Sequence, residues 1–195
     1  MNAQSTLGTA LVTGASSGIG ATYAERLARR GHDLLLVARD AQRLDALAKR
    51  LGAEYGVAVE VMPADLTSKA DVLKVEKRLR EDSSIALLIN NAGVAMNGPL
   101  AAADLDQAET MIQLNVVALT RLAAAAAANF SAAGRGGIIN LGSVVALAPE
   151  MFNAVYSATK AYVLSLTQTL AGELRGSGVQ LQAVMPGVTR TEIWE

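Results

Sequence analysis

Ala10-Leu11-Val12-Thr13-Gly14-Ala15-Ser16-Ser17-Gly18-Ile19-Gly20 runs from a short apolar stretch through a glycine-rich turn into a helical pattern. Glycines let backbone amides approach a diphosphate closely, and the N-terminus of the helix that follows supplies positive potential. The spacing is Gly-x3-Gly-x-Gly rather than Gly-x-Gly-x2-Gly. A bare glycine-rich turn is often only a loop, but strand, turn and helix in this order point to a dinucleotide. Gly14, Ser16, Ser17, Gly18, Ile19 and Gly20 are the residues expected to cradle it.

Outward from this turn, β-rich runs alternate with helical patterns. The strand-like runs are residues 10–13, 34–37, 57–62, 86–90, 137–141 and 179–184. Between them Leu44, Leu47, Ala48 and Leu51, then Val72, Val75 and Leu79, recur at helical spacing. Residues 105–133 read as one long helix and 155–174 as another. Such alternation predicts an α/β fold, a doubly wound parallel sheet with helices on both faces, formed by residues 1–195 as one Rossmann-type domain.

Composition narrows the function. A net charge of −1 and a pI near 5.9 give no footprint for nucleic acid or an anionic membrane. The chain has no cysteine and one histidine, His32, too few for a thiolate or imidazole metal site. No signal peptide is legible at the N-terminus, and the nearest candidate for a membrane span, Leu122 to Ala128, is a short alanine run. The simplest expectation is a soluble cytoplasmic protein acting on a small molecule.

The second strand-like run ends at Val37-Ala38-Arg39. A carboxylate at such a strand end binds the ribose diol of NAD, whereas an arginine accommodates a 2′-phosphate. Here Arg39 comes first and Asp40 after it, which favours NADP(H) over NAD(H). Asp65, with Leu66 beside it, closes the third run; its carboxylate suits the adenine amino group, a helix cap near Ser68, or both.

Tyr156 and Lys160 stand four residues apart in Tyr156-Ser157-Ala158-Thr159-Lys160. Residues i and i+4 share a helix face. An ammonium about 4 Å from a phenol, at an effective dielectric of ~20, favours phenolate by roughly 4 kcal/mol, or about three pKa units. That shift would bring a tyrosine into the range of useful acid–base chemistry. The bland alternative is a packed tyrosine with a snorkelling lysine, and the company the pair keeps argues against it. Asn90-Asn91-Ala92-Gly93 ends the fourth run, Ser143 follows the fifth, and Pro186-Gly187-Val188-Thr189-Arg190-Thr191 ends the sixth. Asn115 stands out of pattern between Leu114 and Val116 in the long helix.

With these motifs the sequence closely resembles the short-chain dehydrogenase/reductase family in its non-extended form. The resemblance implies hydride transfer between NADP(H) and a carbonyl or alcohol substrate. By that resemblance Tyr156 is the proton donor or acceptor, and Ser143 orients and polarises the substrate oxygen. Lys160 holds the nicotinamide ribose and lowers the tyrosine pKa, while Asn115 anchors a water that relays protons to Lys160. Asn91, Ala92 and Gly93 border the cofactor, and Pro186-Gly187, with Thr189 or Thr191, binds its carboxamide.

Two departures stand out. Ser17 replaces a basic residue found in many NADP-preferring relatives, so cofactor choice rests on Arg39. Family members also usually continue beyond the position of Glu195 into a substrate lid and a last strand, which points to a piece of a longer protein. The long helices carry apolar residues around much of their circumference, Met111, Leu114, Val117, Leu119 and Leu122 on one and Val163, Leu164, Leu166 and Leu170 on the other. In the resembling family these helices pair with their copies, so a homodimer or homotetramer is expected. A sensor that binds NADP without turnover is the competing reading, although it has no use for Ser143, Tyr156 and Lys160.

Overall fold

The apolar runs form the strands of a parallel sheet because every second residue faces one layer of helices and its neighbours face the other. The computed structural model of the chain describes residues 7–189. Its strands are β1 (Thr9–Thr13), β2 (Asp33–Ala38), β3 (Val59–Pro63), β4 (Ile85–Asn90), β5 (Gly136–Leu141) and β6 (Val179–Val184). They lie in the order β3-β2-β1-β4-β5-β6, each parallel to its neighbours. The third strand starts two residues later than the periodicity predicts, because Gly56 ends the preceding helix in the left-handed region (φ +71°) and the chain must first turn.

The helices are α1 (Gly18–Arg29), α2 (Ala41–Tyr55), α3 (Lys69–Glu81), α4 (Leu105–Ile112), α5 (Leu119–Ala133) and α6 (Ala154–Glu173). On one face of the sheet Ala10, Val12, Leu34 and Leu36 pack with Ala24 and Leu27 of α1 and Leu44 and Leu51 of α2. On the other face Leu11, Leu35, Leu88 and Ile138 meet Val75 and Leu79 of α3, Leu122 and Phe130 of α5, and Leu170 of α6. Burying such side chains contributes roughly 1.5–3 kcal/mol each, which offsets the polar groups described below.

The expected helix over 105–133 is continuous, but it is not uniform. Between α4 and α5 the hydrogen bonds lengthen to π-helical spacing over Gln113–Ala118. The extra residue in that turn reorients Asn115 into the interior, and π-turns commonly mark functional sites. Taken whole, Leu105–Ala133 is long and apolar enough to cross a membrane by length and composition, which reading the alanine run alone missed. Here the helix instead packs on the sheet and α3, burying Met111, Leu119, Leu122 and Phe130. Met111, Leu119, Leu122 and Val163 are therefore consumed by this chain's own core. The large apolar side chains left exposed on this helix are Leu105, Ile112 and Val117, with Tyr162 on α6.

The sheet order places a topological switch between β1 and β4, where consecutive connections leave in opposite directions. Crevices open at the C-terminal ends of strands at such points. Behind the crevice a polar chain crosses the core. Asn90 Nδ2 donates to Asn140 Oδ1 (3.0 Å) and to the Leu119 carbonyl (3.2 Å), and Asn140 Nδ2 donates to Thr167 Oγ1 (3.0 Å). Asn140 has no solvent exposure. Replacing it with Leu keeps the volume but removes the acceptor for one Asn90 hydrogen, so Asn140→Leu should lower the unfolding free energy by about 2 kcal/mol. Urea denaturation checks this; an unchanged midpoint would mean that the network contributes nothing to stability.

Candidate active site

A cleft of about 560 Å³ opens over the ends of β1, β2, β3 and β4, lined by the glycine turn, the Ala38–Asp40 corner, Asp65, Leu66 and the Asn91–Gly93 segment. Gly14 and Gly18 adopt φ of +63° and +54°, which side chains disfavour. Gly20 has ordinary dihedrals, but a Cβ there would collide with the Gly14 carbonyl and the Asn91 amide. The glycines thus let α1 start hard against the strand ends. They leave a cradle that any side chain would fill, a form that fits the diphosphate of a dinucleotide. Ser16, Ser17 and Ile19 complete the rim; Ser17 begins α1 without a capping bond from its own hydroxyl.

The floor is held by a reciprocal tie. Thr13 Oγ1 donates to the Ile89 carbonyl and accepts from the N–H groups of Asn91 and Ala92, both at 3.0 Å. Asn91 Nδ2 returns bonds to the carbonyls of Thr13 (2.9 Å) and Gly14 (3.2 Å). Thr13 as the hub was not legible in the sequence, where it stood only as the last residue of a strand. Farther along, Asn115 grips the next residues: its Oδ1 accepts from Val94 N–H (3.0 Å), and its Nδ2 donates to the Val94 carbonyl (2.9 Å) and to Thr159 Oγ1 (3.3 Å). Asn115 is thus committed first to the loop after β4.

At the far end Arg39 is exposed on the cleft wall. Asp40 does not face it as a free carboxylate: it caps α2 through Arg43 N–H (3.0 Å) and pairs with Arg43 Nε (3.3 Å). Arg43 lines the same wall, a second guanidinium that sequence reading passed over although it sits one helical turn from Arg39. Asp65 does not cap α3, whose cap is Ser68. Its Oδ1 accepts from Thr67 N–H and Thr67 Oγ1, tightening the turn after β3, and Asp71 of α3 reaches back to the Asp65 N–H.

A smaller cavity of about 70 Å³ adjoins the first through their shared residues Ile19 and Asn91. Ser143, Tyr156, Lys160, Pro186, Gly187 and Thr189 all line it, as the sequence predicts; Thr191 lies outside the described residues. Ser143 leaves β5 in extended conformation, and Val144 N–H bonds the Pro186 carbonyl, joining the ends of β5 and β6. Tyr156 occupies the first turn of α6, edge-on to Phe152 with ring centroids 5.3 Å apart.

The electrostatics differ from the sequence expectation. Burial raises the Tyr156 pKa above its ordinary value, and a hydrogen bond with Ser143 draws it part of the way back. Lys160 does not lower it here: its Nζ lies 5.6 Å from the ring centroid and donates to the Leu141 carbonyl at 3.0 Å. Lys160 is only 5% exposed, and burial brings its own pKa down to about 8. Desolvation wins over pairing for both groups, because neither meets a full opposite charge among the described residues.

Residues 8–195 match the family described as short chain dehydrogenase. The chain belongs to that family. Among solved structures it resembles a short-chain dehydrogenase from Sphingobium yanoikuyae in complex with NADPH, at 61% identity and a TM-score of 0.94. That match covers 96% of this chain and 73% of the other. It also resembles the bulky-bulky ketone specific alcohol dehydrogenase from Comamonas testosteroni, at 54% identity and a TM-score of 0.92, covering 94% and 73% of the two chains. An uncharacterized oxidoreductase of Staphylococcus epidermidis is 34% identical over 187 residues, 95% of this chain and 80% of its own length. The protein is therefore a short-chain dehydrogenase/reductase acting on CH–OH or C=O groups.

The buried lysine makes a stability prediction. Lys160 titrates near ~10.4 when unfolded and at about 8 when folded, so its charge opposes folding below pH 8, by about 3 kcal/mol. The penalty lifts as the pH rises from about 8 towards 10. Lys160→Met, which forfeits about 1 kcal/mol at the Leu141 carbonyl, should stabilise the cofactor-free protein by about 2 kcal/mol at pH 7. The advantage should vanish by about pH 10. Urea titrations of both proteins across this range check it, and a variant less stable at pH 7 would contradict the account.

Proposed function

We propose that this chain reduces a bulky apolar ketone, or oxidises the matching alcohol, with NADP(H) as the preferred cofactor. The observation that carries the reading is the convergence of Ser143, Tyr156, Lys160 and Pro186-Gly187 on one small cavity that opens, at Ile19 and Asn91, into the glycine-turn cleft. A dinucleotide laid with its diphosphate on the Gly14–Gly20 turn would bring its far end among these side chains. When bound, the cofactor supplies or accepts a hydride at its nicotinamide ring.

The chain's own part is to grip the substrate oxygen and move a proton. The hydroxyls of Ser143 and Tyr156 bond each other, and together they make a two-donor seat for a carbonyl oxygen turning into alkoxide. With its pKa raised by burial, Tyr156 stays protonated at neutral pH and is ready to donate, which suits the reductive direction. Lys160, charged below about pH 8, supplies the cation that would steady the phenolate left behind. A Cβ on Gly93 would lie 3.1 Å from Asn115 Oδ1 and 3.6 Å from Lys160 Nζ. Asn115 and Lys160 thus approach the same glycine, a proximity that supports the water relay the family resemblance implies.

The substrate class is supported by apolar side chains next to the smaller cavity. Val144 and Leu147 are exposed on the loop after Ser143, and Phe152 meets Tyr156 edge-on. The Comamonas testosteroni enzyme named for bulky-bulky ketones is among the similar structures. A non-catalytic sensor is the weaker reading, because it has no use for the hydroxyls of Ser143 and Tyr156 set together at the smaller cavity.

Tyr156→Phe should abolish NADPH-dependent reduction of a bulky aryl ketone while the NADPH dissociation constant changes less than about threefold, since the phenol is one of many contacts. Retained turnover in a steady-state assay would overturn the mechanism. NADP(H) should bind more tightly than NAD(H), with Arg39 contributing about 1.5–3 kcal/mol, or roughly ten- to a hundredfold. Calorimetry on wild type and Arg39→Ala measures both ratios. Equal wild-type affinities would sink the preference, and an unchanged ratio in the variant would move it to Arg43.

A further inference from the structure

Asn153, at the start of α6, bonds in two directions. Its Oδ1 accepts from the backbone N–H of Tyr156 at 2.8 Å, capping the helix in its first turn. Its Nδ2 donates to the Met96 carbonyl at 2.7 Å and, at longer range, to the Gly98 carbonyl at 3.5 Å. Those carbonyls belong to the loop after β4, more than fifty residues away in sequence. The same loop is already fixed by Thr13 at Asn91 and Ala92 and by Asn115 at Val94. Val94 and Ala95 line the larger cleft, and Tyr156 lines the smaller one.

We propose that Asn153 is a positioning residue that couples the first turn of α6, and so the depth of the Tyr156 phenol, to the loop that walls the cleft on the opposite side. This rests on the reading of Tyr156 as proton donor. The chemistry explains why an amide is needed. Tyr156 N–H requires an acceptor, the Met96 carbonyl requires a donor, and a side chain of this length with both ends is Asn. Ser could cap the helix, as N-cap preferences allow, but is too short to reach Met96. Asp would cap it and set an acceptor against a carbonyl. Without the tie, the helix turn and the loop would each fluctuate independently, and the phenol would spend less time in bonding range of Ser143 and the substrate oxygen. A misplacement of about 1 Å at a reacting group is enough to cost about a hundredfold in rate.

Two variants separate the roles. Asn153→Ser keeps the cap and loses the loop tie, whereas Asn153→Ala loses both. In hydrogen–deuterium exchange on the full chain without substrate, the amides of residues 96–98 should exchange about tenfold faster in both variants. The first turn of α6 should change only in Asn153→Ala. With saturating NADPH and a bulky aryl ketone, kcat of Asn153→Ser should fall at least about tenfold, while the NADPH dissociation constant stays within about twofold and the thermal midpoint is unchanged. Wild-type exchange over 96–98 in Asn153→Ser would overturn the coupling. Unchanged kcat per folded molecule, or a loss matched by weakened NADPH binding, would overturn the positioning role. If wild type itself turns over no ketone, the functional reading fails, and the exchange experiment still judges the coupling.

Discussion

The site depends on a single tie across the sheet. Thr13, the last residue of β1, takes the N–H groups of Asn91 and Ala92 on its hydroxyl, and the Asn91 amide returns to the carbonyls of Thr13 and Gly14. β1 and β4 are neighbours whose connections leave in opposite directions, so nothing in the ladder itself fixes how far apart their ends splay. The tie closes that gap, and the glycine turn is then built against it. Gly20 cannot carry a side chain because the Gly14 carbonyl and the Asn91 amide already occupy the space. From Asn91 the order passes along one loop to Val94, held by Asn115, and to Met96, held by Asn153. The two cavities meet where this loop and the start of α1 face each other.

The chain spends stability to build this place. Asn90, Asn115, Asn140, Thr167 and Lys160 are all buried, and each needs a partner that an apolar residue would not. All but Lys160 are satisfied neutral groups, which cost little once bonded. Lys160 is different: an ammonium bonded to a carbonyl, with no carboxylate beside it among the described residues, is held at the expense of folding. Large apolar clusters on both faces of the sheet supply the surplus that makes this tolerable. On the proposed mechanism, a charged lysine kept beside a buried phenol would compensate the phenol's conjugate base.

Much of this was legible in the residues. The glycine turn, the alternating runs and the strand-end positions of Asn91, Ser143 and Pro186 lead to the two adjoining cavities, because backbone demands leave direct traces in residue type. Asn115 was visible as a polar residue in an apolar stretch, but not the π-turn that aims it, since helical spacing varies without a sequence signature. Asp65 suited an adenine contact, a helix cap or both; it lines the cleft but holds a turn rather than the cap, because which amides a carboxylate meets depends on how the chain bends after the strand. Thr13, Arg43 and Asn153 were missed for a related reason: their partners are remote or belong to another element's wall. The direction of the Tyr156 shift was misjudged because i,i+4 spacing fixes a shared face but not burial, and burial governs here.

The account stands on hydride transfer at the junction of the two cavities. The most direct measurement is to incubate the protein and a bulky aryl ketone with NADPH bearing deuterium at C4 of the nicotinamide on one face or, in a separate incubation, on the other, and to analyse the alcohol by mass spectrometry. The account predicts deuterium on the carbinol carbon, one atom for each NADPH consumed and from one face of the ring only. NADPH bound without label reaching the ketone, across a panel of apolar ketones, would contradict it.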